Sequence, residues 1–512
     1  MKKLLFVCIA VLSLTACEFI ADEDESESSS TGKASAVVTS TESISYTITS
    51  NESVYIVPAN AASVTLSGEI AGKSVYYVPV NTGSKSVSNE YVRYVTNGSA
   101  RSVTGAVVHT HKDSADSSES HALVCNHGED FLPHFESEGL ARSISHNENG
   151  VAEISYEIGA TKKELFVSVD SKNYQRKNAT LWACNEACNV WVVDDDAYIA
   201  PSNRKALASR YAEKFQTLAP RVRGIFGNEA DSLYASASGS TVSMNTASDT
   251  RAKVNIVVYD LYNDGTQGST IGLFSSMDYY KNGLSFSTAV VNRSNEGKYF
   301  YIDSYFAVMN FDYTISTLAH EFQHMINFGV KAMKKATSDS NFNEMLSMLC
   351  EEFLQNQLGI SDEDSPKNRL HRFSSNYYNT GIRGYDNSLQ AYANAYAFGS
   401  WLAEEFGGEA LVSEMMANGK ANNDCIVAAV NALSGKSYTF DALFAEFVKD
   451  CLDSENGPVV FENEVVTDVA ASYGMFLKNY GTVATGTNSL TLNFTSISGM
   501  TNSDLLIYIY VK

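Results

Sequence analysis

The pentapeptide His320-Glu321-Phe322-Gln323-His324 constrains this chain more than any other stretch of its 512 residues. Residues four apart stack on one face of a helix, so His320 and His324 can aim ring nitrogens at a single ion. Glu321, one step round, cannot easily join them as a ligand, but it can reach a water bound to that ion and take its proton. The flanking residues support a helix: Ile315, Leu318, Phe322, Met325 and Ile326 recur every three or four positions and predict one from about Thr314 to Phe328. The competing reading is a helix that merely carries two solvated histidines.

A catalytic zinc takes three protein ligands and keeps one position for water. One source of a third ligand fails: it would need Gly at 327 and His at 330, where the chain has Asn327 and Val330. A glutamate on a following helix succeeds, because Asn343-Glu344-Met345-Leu346-Ser347 lies in a helical run 20 residues after His324. The two motifs together resemble the thermolysin-like gluzincins and, more narrowly, the hyicolysin-like family of bacterial zinc peptidases, over roughly residues 200 to 450. The resemblance implies an α+β zincin domain that cuts protein or peptide substrates. It also implies His320, His324 and Glu344 as zinc ligands, with Glu321 as general base.

A zinc-bound histidine usually donates its other N–H to a carboxylate or carbonyl, and Asn343 and Glu351 are the candidates. Glu351 follows Glu344 by seven residues, two turns on and nearly the same face. Met348 stands where thermolysin-like relatives carry an orienting Asp. The plainer account of Glu351 and Glu352 is a solvated helix face. Peptide hydrolysis also needs a donor for the developing oxyanion. Tyr392, Tyr396 and His371 are the candidates, and the run Tyr392 to Leu402 resembles the tyrosine-bearing helix of gluzincin aminopeptidases, with Tyr392 at the matching position. Aromatic packing and a surface histidine are the alternatives.

Val254 to Tyr259 and the stretch beginning Gly272-Leu273-Phe274 read as strands, and an open edge on either could seat a peptide by strand addition. Between them Asp260, Asn263, Asp264 and Gly265 form a polar turn that could hold calcium, although their spacing fits an ordinary turn better.

The N-terminus predicts an address. Lys2 and Lys3, an apolar run from Leu4 to Leu12 and Leu14-Thr15-Ala16-Cys17 look like a bacterial lipoprotein signal occupying residues 1–16. Acylated Cys17 would anchor the chain to a membrane without a spanning helix. Glu18, in place of an Asp that signals inner-membrane retention, points to the outer membrane. Residues 17–36, acidic and serine-rich, predict a tether. The formal net charge of −22 becomes −24 once the two leader lysines are lost, which argues against nucleic acid as a partner.

The remainder predicts a multidomain chain. An all-β region spans 37–200, a zincin domain with a mostly helical C-terminal lobe spans 201–455, and a short β tail spans 456–512. In an extracytoplasmic setting Cys184 and Cys188 could close a small disulfide loop, while Cys350, Cys425 and Cys451 read as buried thiols. His109, His111, His121, Cys125 and His127 invite a second metal site, or a thiolate that blocks the zinc in a latent precursor, but they fit no ligand spacing and read better as a serine-rich exposed loop that carries histidines. The expectation is a lipid-anchored zinc endopeptidase, since no acidic motif for gripping a free amino terminus is found. The competing class is a surface binding or adhesion lipoprotein whose zincin domain is inactive or secondary.

Overall fold

The computed structural model describes residues 42–49, 54–57, 61–88, 94–96, 124–127, 157–170, 173–244, 253–265, 270–286, 290–452, 468–495 and 505–512. Cys17, the tether, His109, His111 and His121 lie outside the described residues.

The helices owe their limits to local chemistry. In chain order they are α1 (Arg204–Phe226), α2 (Ser304–Met309), α3 (Phe311–Val330), α4 (Ser340–Leu358), α5 (Arg369–Asn376), α6 (Leu389–Phe406), α7 (Glu409–Ala417), α8 (Asn422–Ser434) and α9 (Phe440–Leu452). Asn310 caps α3 by accepting from the Tyr313 N–H, and Asp339 caps α4 by accepting from the Phe342 N–H at 2.7 Å. Gly359 ends α4 in the left-handed conformation. Phe322, Met325, Met345 and Leu349 are fully buried where α3 and α4 share the main core with α6. Each such side chain contributes roughly 1.5–3 kcal/mol.

These helices pack on a seven-stranded sheet of β1 (Val124–His127), β2 (Lys162–Ser168), β3 (Tyr174–Cys184), β4 (Cys188–Val193), β5 (Val254–Tyr259), β6 (Thr270–Phe274) and β7 (Tyr299–Asp303). The strand order is β1-β6-β7-β5-β4-β3-β2. The sheet is mixed: β4, β5 and β7 run parallel, while β6 is antiparallel to β7. Residue 200 therefore falls inside this unit. Strands β2 to β4 precede it, yet β4 pairs with β5 residue for residue from Cys188↔Val254 to Val192↔Val258. Alternation in sequence marks a strand but carries no label for its partner.

Both expected strands near the motif helix form, but neither is an open edge. β5 is flanked by β7 and β4, and β6 is flanked by β7 and the β1 backbone. Cys125 and His127 lie on β1, of which only the backbone is described.

Strands from residues 42–96 and 468–512 meet in a second β unit. Glu42–Ile48, Ala61–Gly68, Ser489–Thr495 and Tyr94–Thr96 form one sheet. Ser74–Asn81 and Leu505–Val511 form the centre of another. Val57, Val64, Leu66, Val75, Leu492 and Ile509 are buried between them. The tail is thus no separate segment: Tyr510 donates from its hydroxyl to the Ala445 carbonyl of α9, tying this unit to the helices.

The expected Cys184–Cys188 disulfide is absent; both thiols are free. Asn185 closes the β3–β4 turn instead, its Oδ1 accepting from the N–H groups of Ala187 and Cys188 at 2.9 Å each. Cys188 then points into the core, where burial pushes its thiol up to about 12. Cys184 faces Lys253. Cys350, Cys425 and Cys451 are buried free thiols. No helix among the described residues is long and apolar enough to cross a membrane.

Candidate metal centre

Helix α3 carries His320, Glu321 and His324, all essentially without exposure, and α4 lies alongside and brings Glu344 to them. His320 Nε2 is 3.0 Å from Glu344 Oε2, His324 Nε2 is 3.7 Å from Glu344 Oε1, and the two imidazole centroids are 4.6 Å apart. One donor atom from each of the three residues lies within 4.8 Å of the others.

The far side of each imidazole is tied down. His320 Nδ1 meets Glu351 Oε1 at 2.7 Å, and the other oxygen of Glu351 accepts from the Ser316 hydroxyl. Glu351 is therefore buried against a histidine, not part of a solvated face. His324 Nδ1 lies 3.0 Å from Ser347 Oγ. That hydroxyl has one hydrogen, which Gln323 Oε1 and the Asn343 carbonyl are both placed to accept, so its oxygen is left to receive the Nδ1–H. Both Nε2 atoms are thereby directed at Glu344.

Asn343, expected to orient a ligand, reaches elsewhere. Its Oδ1 accepts from Asn327 Nδ2 at 2.8 Å, because it lies one residue before Glu344 and so on another face of α4. Together with His324 and Asn327 it lines a cavity of about 20 Å³, room for a single water.

Electrostatics favour a cation here. Burial alone would lower the His320 pKa, but the carboxylates of Glu344 and Glu351 on its two sides overcome this and pull it up to about 10. Two buried imidazoles and a carboxylate sharing one focus are the borderline donor set that zinc takes. The residues present fit that ion.

Glu321 lies fully buried against the backbone of β6. A Cβ built on Gly272 would come within 2.5 Å of Glu321 Oε1, so only glycine leaves space for the carboxylate. Tyr392 on α6 is also fully buried and donates from its hydroxyl to Glu344 Oε1 at 3.2 Å. The Tyr385 hydroxyl lies 3.2 Å from that of Tyr392. Tyr396 sits one turn further on, beside Glu352, and His371 is exposed on α5.

Ser347, Ser316, Tyr385 and Gly272 escaped the sequence reading. Only Ser347, three residues after Glu344, and a glycine inside a strand pattern left a local trace.

The polar turn gains a partner from the neighbouring strand β7, where Asp303 pairs with Tyr259. Asp260, Asp264 and Asp303 place carboxylate oxygens within 4.8 Å of one another. Asp303 accepts from the N–H groups of Leu261 and Phe306, capping α2, and Asp260 accepts from Gly265 N–H.

Against known proteins, no family profile matches the chain. The neutral metalloprotease ShpI of Staphylococcus hyicus is 27% identical over 278 residues, which is 52% of this chain and 56% of that protein. The chain thus spans a little over half the length of that relative.

Proposed function

We propose that this chain is a zinc-dependent endopeptidase of thermolysin-like, hyicolysin-like type, tethered through acylated Cys17 to the bacterial outer membrane and acting on protein or peptide substrates. The observation that carries the reading is the convergence of His320, His324 and Glu344, with both imidazoles braced from behind.

Zinc held by these three residues would supply a Lewis acid that brings the pKa of a bound water to about 7. Glu321 takes the proton of the attacking water and returns one to the leaving amine. Its carboxylate lies buried beside Gly272. Glu351 and Ser347 hold the imidazoles so that their Nε2 atoms face Glu344, where the three residues would hold the ion. Tyr392, whose hydroxyl already faces the ligand carboxylate, is the donor assigned to the oxyanion. Calcium at the Asp260 turn has no part in this scheme.

The test is cleavage of casein by the purified chain, with zinc measured in parallel, comparing wild type with Glu321→Gln. Loss of activity with zinc retained is the expected result. Two zinc-loaded proteins that both fail to cut would favour a surface binding protein with an inactive domain.

A further inference from the structure

We propose that Gly272 is a positioning residue for Glu321: the missing side chain is a notch in β6 that sets where the general base stands. The inference rests on the reading of Glu321 as that base.

The strand's alternation identifies the notch. Phe274 packs on Phe328 of α3, whereas Leu273 belongs to the core on the opposite face of the sheet. Gly272, two residues before Phe274, therefore faces α3 as well. Glycine weakens a strand interior, and its use there marks a close approach.

The approach comes from two residues one helical turn apart. A Cβ at position 272 would lie 2.4 Å from Thr317 Cγ2, 2.5 Å from Glu321 Oε1 and 2.9 Å from Glu321 Cγ. Thr317 is buried and donates to the Tyr313 carbonyl at 3.1 Å. Gly272 is itself paired with Ile302 in the sheet. With strand and threonine both held, an added methyl displaces the Glu321 carboxylate.

His320 and His324 escape that displacement, because Glu351 and Ser347 of α4 secure them from the other side. Metal binding and base placement are thus separable. The glycine serves the second.

In zinc-loaded full-length protein, Gly272→Ala is expected to keep one zinc and an unchanged KM while kcat falls about 100-fold, the cost of roughly 1 Å of misplacement. Thr317→Ser removes the competing methyl yet keeps the hydroxyl. Alone it leaves kcat within about twofold, and combined with Gly272→Ala it recovers about tenfold, since the new methyl can occupy the vacated space. Should Gly272→Ala alone not fold, the double variant is compared with Thr317→Ser and must show lower kcat with zinc retained.

Wild-type kcat in a zinc-loaded alanine variant would overturn the proposal. So would joint loss of zinc and activity, which assigns the glycine to the fold. Glu321→Gln, run alongside, separates the two failures: if it stays active the base assignment falls, and if it is inactive while Gly272→Ala is unimpaired only this inference falls.

Discussion

Among the described residues two places bring three metal-capable side chains within 4.8 Å, and they are built in opposite ways. At His320, His324 and Glu344 the surrounding hydrogen bonds come from side chains behind the imidazoles, which leaves the Nε2 atoms and the Glu344 oxygens turned toward one another. Beside Asp264, the carboxylates of Asp260 and Asp303 take main-chain N–H groups and so serve as a turn closure and a cap. There, burial first and the neighbouring carboxylates second push Asp303 up to about 7. Convergence alone therefore does not make a centre; what the lone pairs are already doing decides it.

The largest contrast is expected from removing one ligand on each side. Glu344→Ala should abolish zinc retention after dialysis and reduce caseinolysis to background, whereas Asp264→Ala leaves both within about twofold of wild type. Equal loss in the two variants would erase the distinction drawn here.

Glu351→Gln probes the brace instead of the ligand. Zinc affinity or activity should fall about 10–100-fold, measured by competition with a chromophoric chelator.

The same competition run across pH sharpens the electrostatic side. Metal-free His320 holds its proton up to about pH 10, so zinc must displace it throughout the neutral range. Apparent affinity should rise with pH, by about tenfold per unit from this group. Glu351→Gln removes one of the two carboxylates that hold the proton, so its rise should level off at lower pH.

The smallest effect belongs to the aspartate cluster. Asp303 is raised in the folded chain from an unfolded value of about 3.9 to about 7. Its protonated form is therefore favoured by folding. That contribution is complete below about pH 4 and is lost as pH rises through about 7. Asp303→Asn should flatten this slope in thermal unfolding, at a uniform cost of about 1–3 kcal/mol for the backbone N–H left unpaired.

Much of the centre was legible because helices are local. The helix expected from Thr314 to Phe328 runs Phe311–Val330, and Glu344 and Glu351 share an α4 face as the seven-residue spacing requires. Ser347 was readable in the same way. Gly272 was not, since a glycine in a strand becomes informative only when the residue pressed against it is known, and Thr317 and Glu321 lie on another element.

Sequence alone marked the helices of the centre, the candidate ligand types and their order, because residues three, four or seven apart must share a helix face whatever surrounds them. Tertiary structure decided the rest. It joined β4 to β5 across residue 200, set β1 beside β6, and left Cys184 and Cys188 as free thiols. It also brought Thr65 within 3.1 Å of Thr491, 426 residues away. Strand pairing is specified by which buried faces fit together over the whole chain, and a period of two carries no record of the partner.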